Sequence, residues 1–228
     1  MKIISLTICP FVERVMALLV AKNIDYETTF IDSSHKPEWF LAMSPHHQVP
    51  ILITDDGDII FESEAIVEYL EEAYPPLQPN ISLIQKAKNR SWSYLAVKNY
   101  LVQCSAMRSF DKNTLQKHCD KLHQAFAKIE NQLGDKKFFN TDDIGMVDIA
   151  WLPILHRADI IHHKTGYDFI KPYPKLRKWQ KQLMKTELAK KSVAADFIKV
   201  FSNFYLSNET YLGRGDDTKK MASKKTCC

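Results

Sequence analysis

Three prolines within five positions divide the chain into two unlike parts. The segment Tyr74–Asn80 reads YPPLQPN, and prolines at this density make a stiff, extended linker. Before this segment, short apolar runs alternate with helical patterns, whereas after it the strand signals largely stop. We therefore expect a mixed α/β domain followed by an all-helical domain.

The first part begins with the pattern of a βαβ unit. β-rich runs at Lys2–Ile8 and Tyr26–Ile31 flank an amphipathic helix predicted over Glu13–Lys22. Two strands joined through a helix run parallel, because the helix carries the chain back to the start of the sheet.

A ββα pattern follows. The stretch beginning at Lys36 predicts a short helix with Pro37 at its first position. Apolar runs at Val49–Thr54 and Ile59–Phe61 flank an Asp-Gly pair and predict a hairpin. A second amphipathic helix begins at Ser63.

The second part carries long helical patterns, and its end changes composition. Helices are predicted from about Leu83 to Phe110, from Asn113 to Leu133, from near Gly145 and from near Pro174. We divide the chain into an α/β domain (1–76), a linker (77–83), a helical domain (84–212) and a tail (213–228) with little to bury, which we expect to be disordered.

Composition and cysteine usage exclude several classes of protein. The 228 residues carry a formal charge of only +4, and no basic stripe with interleaved aromatic residues indicates nucleic-acid binding. The five cysteines (Cys9, Cys104, Cys119, Cys227 and Cys228) do not form a secreted disulfide framework. The sequence contains neither a C-x-x-C nor an H-E-x-x-H motif, so neither of these metal-site patterns is present. With no signal-peptide or membrane-spanning pattern, we expect a cytoplasmic protein.

Cys9 is the strongest candidate for a reactive residue. It directly precedes Pro10, which suits the first position of a helix, so Cys9 falls at the N-cap. Free N–H groups and the positive end of the helix dipole stabilise a thiolate there, so we expect a lowered thiol pKa and a nucleophile. The alternative is a small residue that only fills the end of a strand.

The residues after Cys9 include no second cysteine. A C-x-x-C site resolves its own mixed disulfide, whereas this site needs an external thiol, and cytosolic glutathione is the obvious donor. The local sequence therefore suggests a glutathione-linked thiol exchanger.

Several stretches make the chain resemble the cytosolic glutathione transferase superfamily, most closely its omega-like, cysteine-type class. They are CPFVERV, KPEWFLAMSPHHQVPIL, DIIFESEAIVEYLEEAYP and MVDIAWLPILHR, and the likeness covers about residues 1–212. The resemblance implies a thioredoxin-like N-terminal domain, an all-helical C-terminal domain and a homodimer. It also implies thiol transferase or dehydroascorbate-type reductase activity through a mixed disulfide at Cys9.

The resemblance further assigns glutathione-binding roles. It implies that Lys36 pairs with the glycine carboxylate, that Val49 beside a cis Pro50 binds the peptide backbone, and that Glu62 and Ser63 hold the γ-glutamyl end. The alternatives are a solvated lysine at Lys36, a plain trans turn at Val49-Pro50 and a simple helix cap at Ser63.

The second substrate and the tail are less defined by the sequence. The resemblance implies a co-substrate pocket between the domains, with Phe11 and Arg157 among its residues. A non-enzymatic, partner-binding protein of the same fold is the alternative function, although such proteins lack the catalytic cysteine.

The terminal Cys227-Cys228 pair resembles prenylated chain ends, and only such a modification would predict membrane attachment.

Overall fold

Residues 1–215 are described by a computed structural model, which begins with a mixed sheet and continues with helices. The α/β elements are β1 (Lys2–Ser5), α1 (Pro10–Ala21), β2 (Glu27–Phe30), α2 (Glu38–Met43), β3 (Ile51–Ile53), β4 (Ile59–Phe61) and α3 (Ser63–Ala73). The helical elements are α4 (Leu83–Met107), α5 (Lys112–Gln132), α6 (Met146–Thr165), α7 (Pro174–Lys185), α8 (Leu188–Lys191), α9 (Phe197–Tyr205) and α10 (Tyr211–Arg214).

The sheet has the predicted connectivity, with strand order β2-β1-β3-β4. β1 pairs in parallel with β2, whereas β3 is antiparallel to both β1 and β4. Ile3 and Leu52 face each other across the central pair, and both are fully buried. The expected βαβ–ββα arrangement is therefore confirmed, with strands shorter than the apolar runs that predicted them.

Helix α1 is buried along most of its length. Cys9 is its N-cap and Pro10 its first residue, as predicted, and nine of its residues are buried, including the charged Glu13 and Arg14. One prediction is displaced, because Pro37 is the N-cap of α2 rather than its first helical residue. A helix packed on two faces can bury charges only when partners are supplied from its neighbours.

The second part is helical, as expected, and α6 lies at its centre. All but one of the residues from Val147 to Ile161 are buried, and α6 packs against α1 and α4. Apolar side chains of helices α4 to α9 share one core with α1 and α3. Within residues 1–215, no helix is long and apolar enough to cross a membrane.

Some parts of the C-terminal region differ from the sequence prediction. α8, α9 and α10 are short helices that the periodicity did not reveal. The predicted tail boundary at residue 213 is wrong, because α10 continues through Arg214 and its N-cap Thr210 accepts a hydrogen bond from the N–H of Gly213 (3.1 Å). Cys227 and Cys228, and with them the lipidation hypothesis, lie outside the described residues.

A buried ion cluster joins the two parts of the chain. Glu13 of α1 accepts hydrogen bonds from Arg157 and from His156, both on α6, and the His156 Nδ1 to Glu13 Oε1 distance is 2.7 Å. All three side chains are buried. Burial alone would raise the pKa of Glu13, but the charges and hydrogen bonds of Arg157 and His156 hold it below its ordinary value.

A second buried carboxylate organises the start of α6. Asp148 accepts hydrogen bonds from the N–H groups of Gly145 (2.9 Å) and Phe139 (3.0 Å) and from the indole of Trp179 (2.7 Å). Gly145 offers no side-chain cap, and a Cβ there would lie 2.7 Å from the Gln78 side chain of the linker. Asp148 therefore links the preceding loop, α6 and α7 through hydrogen bonds, beside the position where Gln78 of the linker packs against Gly145.

Replacing Asp148 by alanine should destabilise the protein strongly. Three buried donors would lose their acceptor, and we expect the free energy of unfolding to fall by about 3 kcal/mol or more in urea titrations. Asp142→Ala is the matched control, because Asp142 is exposed and pairs only with surface groups. Equal effects of the two substitutions would contradict this role of Asp148.

The Glu13 cluster should make stability depend on pH in the acid range. Because the folded pKa of Glu13 is depressed, its contribution is present above the ordinary carboxyl pKa and is lost as the pH falls through the folded value. Glu13→Gln should cost about 3 kcal/mol near neutral pH, since it leaves Arg157 buried and uncompensated. The difference between the two proteins should shrink as the pH falls below about 4. A difference independent of pH would show that the Glu13 charge does not stabilise the fold.

Candidate active site

Cys9 lies where β1 leads into α1, at the boundary between the two parts of the chain. Its N–H donates to the Leu6 carbonyl (3.2 Å), and its own carbonyl accepts from the N–H of Glu13 (3.1 Å). The side chain is half-buried and forms no disulfide. The loop and the first helical turn therefore fix the thiol at the start of α1, where it lines one of two pockets that share Phe11.

The electrostatic surroundings of Cys9 differ from the prediction. Burial disfavours the thiolate and raises the pKa of Cys9 above its ordinary value, while the N–H groups of Val12 and Phe11 and the charge of Arg157 act to lower it. The expectation of a lowered pKa is wrong, because the helix position supplies the donors but says nothing about desolvation. The donors that would stabilise a thiolate are nevertheless in place.

The first pocket brings together most of the residues assigned to glutathione. It is lined by Phe11, Ser44, His46, Gln48, Val49, Pro50, Phe61, Glu62 and Ser63. The Val49–Pro50 peptide bond is cis, as the resemblance implied. The loop before it is held by Ser44, whose Oγ accepts from the Gln48 N–H (2.9 Å) and donates to the Gln48 carbonyl (3.0 Å). Five predicted residues from three sequence segments thus share one cavity.

Glu62 and Ser63 form the end of this pocket at the start of α3. Glu62 is the N-cap and has a φ of 68°, a left-handed conformation that is uncommon for glutamate and costs conformational energy. Its exposed carboxylate pairs with no other group in residues 1–215. Ser63 is buried as the first helical residue, so the expectation that it opens the helix is confirmed, whereas the cap position belongs to Glu62. The free N–H groups of α3 suit a carboxylate ligand.

Lys36 lies beside the pocket rather than in its lining. Its side chain is half-buried, and Nζ donates to the His47 carbonyl at 2.8 Å. His47 has a φ of 53° and lies two residues before Val49. This contact places the Lys36 ammonium near the loop that carries Val49, and it is not a freely solvated lysine.

The second pocket has a volume of about 490 Å³, includes Cys9 in its lining and lies between the two parts of the chain. Its walls are mostly apolar and come from the β1–α1 loop, the segment after β2, α4 and α9. They comprise Leu6, Thr7, Ile8, Cys9, Pro10, Phe11, Ile31, Asp32, Ser33, Leu101, Cys104, Val200, Phe204 and Tyr205. Phe11, which the resemblance places at the co-substrate pocket, lines both pockets.

Arg157 does not line this pocket, and its predicted placement needs correction. The side chain is fully buried behind the Cys9 loop, where its guanidinium bonds to Glu13, to the Pro153 carbonyl (3.2 Å) and to the Ile8 carbonyl (3.1 Å). The acidic partner Glu13 draws the guanidinium inward. Arg157 therefore holds Ile8, the residue before Cys9, in place. Its positive charge acts on the Cys9 thiol from the buried side of the loop.

Four residues of the site were not identified from the sequence. Glu13 and His156 complete the cluster behind Cys9, while Cys104 and Tyr205 line the second pocket. Glu13 carried a signal, since a carboxylate on the buried side of an amphipathic helix requires a partner. Cys104 and Tyr205 carried none, because their places depend on how α4 and α9 pack against α1. Residues 1–215 contain no group of three or more His, Cys, Asp or Glu side chains placed to hold a metal ion.

Comparisons with known proteins give one consistent result. Residues 8–73 match the family model for the glutathione S-transferase N-terminal domain, and residues 112–180 match that for the C-terminal domain. Glutathione S-transferase omega-1 of Rattus norvegicus is 30% identical over 192 residues, covering 82% of this chain and 78% of the relative. A protein of Oryza sativa subsp. japonica named probable glutathione S-transferase DHAR1, cytosolic, is 28% identical over 82% of this chain and 84% of its own.

A solved structure supports the same fold. Rice GST1 in complex with glutathione superimposes with a TM-score of 0.75 and 21% identity, covering 90% of this chain and 96% of that one. At this identity the likeness concerns the fold alone, a thioredoxin-like domain followed by a helical one. The two matched domain models and the 30% identity to an omega-class relative together establish that the chain belongs to the glutathione S-transferase family.

Proposed function

We propose that this family member is a glutathione-dependent thiol transferase or reductase of the cysteine type, working through a mixed disulfide at Cys9. The observation that carries the proposal is the position of Cys9 at the start of α1, in the lining of the second pocket and two residues before Phe11, which lines both pockets. One neighbouring pocket holds the residues assigned to glutathione, and the other is open and apolar. A second substrate in the open pocket would meet the thiol directly, and glutathione in the first pocket would reach it past Phe11, which lines both pockets.

Glutathione would bind along the first pocket as an extended peptide. The Val49 N–H and C=O have no hydrogen-bond partner within residues 1–215, so they can pair with the peptide backbone as an added strand does. The Glu62 carboxylate can bind the α-ammonium, and the start of α3 with Ser63 can bind the α-carboxylate. Lys36 can reach the glycine carboxylate at the opposite end. This direction would place the cysteine sulfur of glutathione near Cys9.

The chemistry then takes two thiol–disulfide exchanges. The Cys9 thiolate attacks the glutathione sulfur of a glutathionylated substrate, which forms the Cys9–glutathione disulfide and releases the substrate thiol. A second glutathione attacks the glutathione sulfur of that disulfide, which releases glutathione disulfide and restores Cys9. Reduction of a small molecule such as dehydroascorbate would draw its two electrons from the same pair of glutathiones.

The surroundings of Cys9 would contribute mainly at the thiolate stage. The N–H groups of Phe11 and Val12 stabilise the negative charge, and Arg157 adds a positive charge from behind. We place Phe11 at the co-substrate, since it lines both pockets, and give Arg157 a positioning role through Ile8.

We further propose a homodimer in the cytoplasm, supported by the family and by the relative named as cytosolic.

Replacing Lys36 by alanine should weaken glutathione binding. Loss of a charge-assisted contact worth about 1.5–3 kcal/mol should raise the apparent KM for glutathione roughly tenfold or more, with a smaller effect on kcat. Lys128→Ala is the matched control, because Lys128 is exposed on α5. An unchanged KM in the Lys36 variant would remove Lys36 from the site.

Substitution of Cys9 tests the mechanism directly. Cys9→Ala should abolish thiol transferase activity, because it removes the thiol that forms the mixed disulfide with glutathione. The fold should stay intact, since a small residue at the strand-to-helix junction tolerates this truncation. Cys9→Ser should also lose exchange, but its hydroxyl can donate to a glutathione thiolate, so conjugation of glutathione to an electrophile should appear or increase. Cys119→Ser, at a buried cysteine distant from both pockets, is the control.

Two results would contradict the proposal. One is exchange activity that persists in Cys9→Ala. The other is a wild-type protein that neither binds glutathione nor reduces any disulfide, which would favour the non-enzymatic, partner-binding alternative.

A further inference from the structure

The pocket beside Cys9 contains a second thiol, that of Cys104 on α4. Cys9 and Cys104 line the same cavity, and both are half-buried and free. The two residues are far apart in sequence, so no local motif connects them. The fold nevertheless presents two thiols to one cavity of about 490 Å³.

Aromatic packing brings α4 close to the start of α1. The Phe11 ring makes an edge contact with the Tyr100 ring, with centroids 5.1 Å apart. Phe11 lies two residues after Cys9, and Cys104 lies one helical turn after Tyr100, about 6 Å along the axis. Residues four apart on a helix lie on the same face. Cys104 therefore faces the same end of α1 as Tyr100 does.

Helix α6 is hydrogen-bonded to the residue that precedes each of the two cysteines. Gln103 donates its side-chain amide to the Ile154 carbonyl (2.9 Å), which fixes α4 against α6 one residue before Cys104. Three residues further along α6, Arg157 bonds to the Ile8 carbonyl (3.1 Å), one residue before Cys9. The positive Arg157 guanidinium interacts electrostatically with both thiols.

Tyr205 of α9 completes the surroundings of Cys104. Burial raises the pKa of the Tyr205 hydroxyl, and the adjoining Cys104 sulfur raises it further through its negative charge as a thiolate and through a hydrogen bond. The hydroxyl therefore stays protonated and can donate to a Cys104 thiolate. Arg108 holds the end of α9 against α4 by donating to the Phe204 carbonyl (3.0 Å), which keeps Tyr205 beside Cys104.

We propose that Cys104 is a resolving thiol for Cys9. This inference rests on the proposed function, because its substrate is the Cys9–glutathione disulfide. The Cys104 sulfur attacks the Cys9 sulfur, the Cys9–glutathione bond breaks, and glutathione leaves as the thiol with the proton that Cys104 gave up. The product is a Cys9–Cys104 disulfide, and no further oxidant is consumed.

The internal disulfide and the second glutathione compete for the same intermediate. Two glutathiones return the protein to its dithiol form, the first by re-forming the Cys9 adduct and the second by releasing glutathione disulfide. Because an internal thiol acts at a high effective concentration, the Cys104 route dominates when glutathione is scarce. Cys9 is then held in a reducible form that resists oxidation to the sulfinic acid.

The test follows the fate of the glutathione adduct on the full chain. Wild-type protein and Cys104→Ser are treated with glutathione disulfide, the reagent is removed, and intact mass and non-reduced peptide maps are recorded over time. We expect the wild-type adduct to convert into a species with linked Cys9 and Cys104 peptides. The adduct on Cys104→Ser should persist at least about tenfold longer, since it lacks the intramolecular thiol. Cys104→Ala should behave like Cys104→Ser.

The controls separate this inference from the proposed function. Cys119→Ser should behave as the wild type, because Cys119 is buried against Tyr167 and lies outside the pocket. A Cys9 adduct that forms and is equally long-lived in wild type and Cys104→Ser overturns the resolving role alone. A link from Cys9 to any cysteine other than Cys104 overturns it as well. The absence of both adduct and linked peptide overturns the resolving role and the proposed function together.

Discussion

The arrangement of the site depends on one buried ion cluster, in which Glu13 meets Arg157 and His156. These charges lie where α1 crosses α6, and each would be costly to bury without the others. Because Arg157 also bonds to the Ile8 carbonyl, the cluster fixes the loop that ends at Cys9. One set of contacts therefore holds the two parts of the chain together and sets the position of the thiol, so a change in domain packing would also move the reacting atom.

The sequence predicted elements whose signals are local. The Asp-Gly hairpin, the parallel βαβ unit and the helix starting at Ser63 all follow from periodicity and turn chemistry within a few residues. Arg157 was misplaced because its direction depends on Glu13, which lies far away in sequence and attracts it into the core. The prediction of the second pocket was incomplete for the same reason. Helix α9 is short, and Tyr205 joins the pocket only because α9 packs beside α4.

The pKa of Cys9 illustrates a limit of motif reasoning. A cysteine before a proline at a helix start does obtain nearby N–H groups, and Phe11 and Val12 supply them. The same packing that aligns these groups also removes water from the sulfur, and in this protein desolvation is the larger effect. Any process that brings charge-stabilising groups or water to the pocket would thus favour a thiolate at Cys9, and in the proposed function the binding of glutathione would be such a process.

The two pockets differ in how their walls are built. The glutathione side is built from tightly constrained backbone, including Glu62 with its positive φ and the Ser44–Gln48 loop closed by its own hydrogen bonds. The other side is formed by side chains from separate helices, with the half-exposed Phe204 at its edge. A peptide site built on backbone groups beside a mostly apolar cavity suits a peptide co-substrate and an apolar second substrate. Cys104 and Cys9 line this same cavity, so a substrate bulky enough to fill it would also lie between the two thiols. Occupancy of the second pocket would then decide whether a second glutathione or the internal thiol resolves the mixed disulfide.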